Sequence, residues 1–155
     1  MAKDVSVMKW DKGLTLINIV FPLIGMGLMI FYEICDTSCS SLRGTFLGVD
    51  LKIIGVLFTA ALLAMSLPPV SRYPLPVDRL RSIMLSAAVG SEVLLVRFQI
   101  VHETYCPFCL AFGLCVLILF AANFPRMNKI LAAAFFLAGI GAFWLFFDGS
   151  VLPLY

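Results

Sequence analysis

Long apolar runs alternate with short polar junctions along this chain. Five runs stand out, approximately Leu14 to Ile34, Leu51 to Val70, Ile83 to Val101, Phe108 to Phe124 and Ile130 to Phe147. Each approaches the roughly 20 residues that an α-helix needs to cross the hydrocarbon of a bilayer. The pattern predicts an all-α fold: one integral membrane helical bundle of five transmembrane helices spanning residues 1–155. The first run follows Lys3, Lys9 and Lys12, as a signal peptide would. Its apolar stretch is too long for a signal h-region, and no small-x-small cleavage site follows before Glu33, so it is read as a retained helix.

Composition strengthens the membrane reading. The 155 residues are 62% hydrophobic and only 13% charged, with a mean hydropathy of +1.05. A soluble domain is roughly 45–50% apolar and about 25% charged. A core this small cannot hide that surplus, so much of it faces lipid. The net charge of +2 is small, and no nucleic-acid partner is expected.

The distribution of charge orients the bundle. With the N-terminus in the cytoplasm, Lys3, Lys9, Lys12, Arg72, Arg79, Arg81, Arg126 and Lys129 all fall inside. Of the 11 basic residues only Arg43, Lys52 and Arg97 remain for the outer loop and the spans. That bias follows the positive-inside rule. The expected location is a bacterial inner membrane or its equivalent, multi-pass, with loop 35–50 and junction 102–107 at the outer face.

Four of the five cysteines then meet at that face: Cys35 and Cys39 in the first loop, Cys106 and Cys109 at the start of the fourth helix. Disulfides persist in such an oxidising compartment. The two pairs can be static disulfides or a redox relay. A four-cysteine zinc site is disfavoured, because structural zinc sites use a closed soluble cage, and no metal is expected. Cys115 lies two turns into the fourth helix, where a buried thiol behaves as a small hydrophobe.

The Cys106-Pro107-Phe108-Cys109 stretch has its own chemistry. Proline favours the first helical position, which makes Cys106 the N-cap and sets Cys109 one turn inside. The helix dipole and unpaired N–H groups favour a thiolate there, and a thiolate is both nucleophile and good leaving group. The spacing places both sulfurs on one face, within reach of an exchangeable disulfide. Cys35 and Cys39 sit among Asp36, Thr37, Ser38, Ser40 and Ser41, a polar loop suited to shuttling, although Glu33 and Asp36 disfavour a thiolate.

The stretch CSSLRGTFLGVDLKIIG (39–55), with YCPFCL (105–110) downstream, resembles the vitamin K epoxide reductase family. The likeness covers roughly residues 14–123. It rests on the serines after the loop cysteines, the glycines at 44, 48 and 55, and the Cys-x-x-Cys opening the fourth helix. The resemblance implies a helical bundle around a pocket for a quinone, of ubiquinone or menaquinone type, at the outer face. It further implies that Cys109 meets the quinone and that Cys106 takes electrons from Cys35 or Cys39. The loop pair would be reduced by a thioredoxin-like thiol protein. Family members with that domain fused carry it after the fifth helix; this chain ends at Tyr155, so a separate partner is expected beside membrane lipid. Two positions depart from the family pattern: Gly113 stands where some members have a quinone-binding tyrosine, and Leu51-Lys52 where they have an asparagine.

A quinone gains negative charge on reduction, so cationic and titratable groups near the outer face are candidates for contacting it. These are Arg43, Lys52 and His102. Arg43 equally suits a lipid headgroup, and His102 beside Glu103 suits either proton transfer or an interfacial position. Glu92 and Arg97 lie within the third span, where charge is costly. Arg97 is expected to snorkel outward, and Glu92 to find polar company in Ser86 or Ser91. Gly25, Gly27, Gly90, Gly139 and Gly141 are expected at close helix contacts. Two other functions fit the same cysteines less well: a membrane carrier of reducing equivalents working in the opposite direction, and a non-enzymatic membrane protein with static disulfides.

Overall fold

The structure, a computed structural model, describes residues 2–34, 42–67 and 74–151, with the side chains of 2–12, 33–34, 42–43, 74–75 and 151 excepted. Five α-helices form the bundle among these residues: α1 Ala2–Ile34, α2 Leu51–Ser66, α3 Pro74–Val101, α4 Pro107–Asn123 and α5 Lys129–Phe146. The architecture is an all-α bundle. Four helices contain stretches long and apolar enough to cross a membrane: Gly13–Tyr32, Pro76–Val101, Pro107–Arg126 and Lys129–Phe146. Their outward faces are apolar, as at Leu16, Ile130, Leu137 and Leu145, each more than 60% exposed. Lipid is the solvent that such faces suit.

The second helix is shorter than the apolar run suggests. Its 16 residues rise about 24 Å, less than the ~30 Å hydrocarbon core. The cause is visible at both ends. Asp50 caps the start by accepting the Lys52 N–H at 2.9 Å, and Leu67 turns extended, with φ −75° and ψ 147°, just before Pro68. A residue preceding proline disfavours the helical region. The third helix is longer than expected because its first turns carry Asp78, Arg79 and Arg81, which interrupt the apolar run without breaking the helix.

Three short strands, absent from the sequence-based expectation, close one end of the bundle. Strand β1 is Leu42–Phe46, β2 Val49–Asp50 and β3 Phe147–Val151. The order is β2-β1-β3. Both pairings are antiparallel, with Phe46 opposite Val49 and also opposite Phe147. Leu47 (φ 54°) and Gly48 (φ 78°) make the two-residue turn between β1 and β2, the positive-φ combination that suits the twist of a tight hairpin. Thus part of the expected loop 35–50 is strand, and the end of α5 continues into its neighbour.

Packing runs the length of the bundle. Leu62, Leu85, Leu119 and Met127 form a core toward the end remote from the sheet, and Met29, Val89, Phe112 and Val116 form one at mid-height. At the remote end Asn18 and Asn123 exchange side-chain hydrogen bonds of 3.3 and 2.8 Å between α1 and α4. Helices α3 and α5 approach most closely. A Cβ on Gly90 would collide with the Phe136 carbonyl oxygen, and one on Gly139 with that of Ala87. Gly25 abuts Thr59 and Phe112, whereas Gly27 and Gly141 face open space; the expectation of close contact fails at those two.

Candidate functional site

The helix that carries the second cysteine pair begins as its proline predicts. Cys106 is the N-cap of α4, extended at φ −99° and ψ 110°, with Pro107 next. Its Sγ accepts the Cys109 backbone N–H at 3.5 Å. Only 1% of Cys106 is exposed, and it packs with Tyr32 near the end of α1. Its own N–H donates to the Gln99 side-chain oxygen at 2.9 Å. Gln99 was not singled out in the sequence, though a polar side chain within an apolar helix is the signal that marks it.

Cys109 packs against the same Tyr32–Cys106 cluster. It lines a cavity of about 400 Å³ beneath the three-stranded sheet. Walls come from Phe58, Phe112, Phe143 and Phe147, and the lining includes the polar side chains of Tyr32, Asp50, Lys52, Ser91, Glu92 and Gln99 beside Cys109. The volume lies within the range of small-molecule sites, and an apolar lining with a few convergent polar groups is their usual make-up.

The expected ligand neighbours divide. Lys52 lines the cavity, with its ammonium 5.0 Å from the centroid of the Tyr32 ring. His102 does not line it; its imidazole lies on Phe98, ring centroids 4.4 Å apart, in the exposed α3–α4 turn. The backbone of Arg43 pairs with Ser150 in the sheet, and its side chain is outside the described residues. Cys35 and Cys39 also lie outside them. Cys115 is buried among apolar neighbours on α4, as a packing residue would be.

The charges of α3 also separate. Arg97 is exposed and its guanidinium sits 5.3 Å from the centroid of the Trp144 ring. Glu92 faces the cavity, but the serines expected to accompany it are engaged elsewhere or stand apart. Ser91 donates to the Ala88 carbonyl at 2.8 Å, and Ser86 Oγ has no partner among the described residues. No three histidine, cysteine or acidic side chains gather as a metal site among the described residues.

No protein-family model, curated protein or solved structure matches this chain.

Proposed function

We propose that this chain is a membrane thiol–quinone oxidoreductase, similar to the vitamin K epoxide reductase family, that generates disulfides outside the cytoplasm. A reduced thioredoxin-like protein gives two electrons to Cys35 and Cys39. That pair passes them to Cys106 and Cys109, and Cys109 passes them to a quinone. In this reading the N-terminus is cytoplasmic and the sheet end of the bundle faces the outer compartment.

One observation carries the proposal: the thiol pair at the start of α4 lies against a cavity. Cys109 borders a largely apolar cavity of about 400 Å³, while Cys106 is packed with Tyr32, three residues before Cys35. A relay needs an acceptor site beside one sulfur of the pair. The N-terminal end of α4 favours the thiolate form that exchange requires.

Each turnover is balanced. The partner's two thiols become a disulfide, and the quinone gains two electrons and two protons to become a quinol. The apolar walls bind and orient the ring. Purified protein given a reduced thioredoxin-like donor should bleach the absorbance of a soluble quinone catalytically. Full activity in Cys109→Ala would contradict the relay. Cysteines that remain oxidised whether or not quinone is supplied would favour static disulfides instead.

A further inference from the structure

The cavity contains an ionisable group that the thiol relay leaves unused. Glu92 reaches from α3 against α4, where a Cβ built on Gly113 would stand 2.7 Å from its Oε2 and 3.2 Å from its Cδ. The missing side chain of Gly113 is therefore what gives the carboxyl group its place. Gly113 follows Cys109 by four residues, and side chains at that spacing share a helix face, with Cβ atoms about 5–6 Å apart. The Glu92 carboxyl thus stands within about one helical turn of the Cys109 sulfur position, and both residues line the same cavity. Among the described residues no hydrogen bond or ion pair engages it. An acidic side chain at such depth is costly unless it serves a purpose.

We infer that Glu92 is the group that transfers a proton to the quinone reduced by Cys109. The inference rests on the quinone reading above and adds a residue that the thiol relay does not require. In the step proposed, Cys106 and Cys109 lose two electrons and two protons and form one S–S bond. Glu92, in its acid form, gives its proton to one quinone oxygen and regains one from the Cys109 thiol. The Cys106 proton leaves to water, and water supplies the proton for the second quinone oxygen. Two electrons and two protons leave the dithiol side, and two of each arrive on the quinone. Lys52, half-buried at the cavity wall, is placed to offset negative charge on the ring before protonation is complete.

The test uses the full-length protein in detergent with a soluble quinone, comparing Glu92→Gln and Glu92→Asp with the wild type. Glu92→Gln keeps the shape and removes the exchangeable proton, so kcat should fall by about 100-fold with KM for the quinone within about twofold. Glu92→Asp keeps the acid and should recover part of the rate. A readout independent of turnover is the infrared difference spectrum on adding oxidised quinone: a carboxylic acid C=O band should shift in the wild type and be missing in Glu92→Gln. Wild-type kcat in Glu92→Gln, with no carboxyl band responding to quinone in the wild type, would overturn the role of Glu92 while leaving the thiol–quinone reading intact. A wild-type protein that passes no electrons to quinone would overturn both.

Discussion

The side-chain oxygen of Gln99 accepts the backbone N–H of Cys106 at 2.9 Å, and both residues are at least 97% buried. One neutral amide therefore ties the last turns of α3 to the N-cap of α4, across a junction that includes Glu103 at φ 50°. The bond fixes where the Cys106 sulfur begins its helix. The Gln99 backbone carbonyl takes part as well, accepting from Thr104 N–H at 3.0 Å.

Replacing Gln99 by Leu keeps the volume and removes the acceptor. A buried N–H left without a partner costs about 1–3 kcal/mol. Gln99→Leu should lower the melting temperature in detergent by several degrees and slow thiol exchange at Cys106. Melting and exchange equal to the wild type would show that the bond does not position the cysteine.

The α3–α5 seam provides a contrast between glycines of one helix. Gly139→Ala forces a methyl group against the Ala87 carbonyl, whereas Gly141→Ala meets nothing within 4 Å. Overpacking typically costs about 1–3 kcal/mol, and here the obstacle is backbone that cannot rotate aside. Thermal unfolding should show marked loss for Gly139→Ala and none for Gly141→Ala. Equal behaviour would contradict the close approach of these helices.

The Asn18–Asn123 pair can be isolated by a double-mutant cycle. Interhelical hydrogen bonds within membranes couple by about 0.6 kcal/mol on average, with about 1.7 as the upper end measured. Asn123 also donates to the Leu119 carbonyl at 2.8 Å, so the single substitutions alone overstate the pair. Alanine at each position and at both should reveal favourable coupling in that range; strictly additive losses would argue that the amides act independently.

The sheet is tested by cross-linking. Thr45 and Asp148 are directly opposite in register. Cysteines at both positions, in a chain whose native cysteines are replaced, should join on mild oxidation and leave a compact species on a non-reducing gel. Failure to join, with the single-cysteine controls both reactive, would contradict the pairing of β1 with β3.

The sequence announces the helices because lipid demands unbroken apolar runs whose backbone bonds close within the segment. It marks the start of α4 for a similar reason, since Pro107 fits the first helical turn and little else in the run. The sheet is less legible. LRGTF and FDGSV contain glycine and charge rather than clean alternation, and the strands pair across about a hundred residues, which no local pattern records. Length misled at α2, where Pro68 stops a run that hydropathy alone would continue. Glu92 stood out as a charge in a span, but its true neighbour was hidden, because Gly113 participates by having no side chain. Lys52 lines the cavity, whereas His102 turns onto Phe98, a contact four residues back on its own chain.

The central claim is that Cys109 delivers electrons to a quinone held in the cavity below the sheet. Its most direct measurement is a single turnover without oxygen: fully reduced protein, freed of reductant, is mixed with excess soluble quinone while quinol and protein thiols are counted together. One quinol should appear for every two thiols lost, and Cys109→Ala should form quinol no faster than buffer. Thiols that persist in the wild-type protein while quinone stays oxidised, or quinol formed equally by Cys109→Ala, would contradict the account.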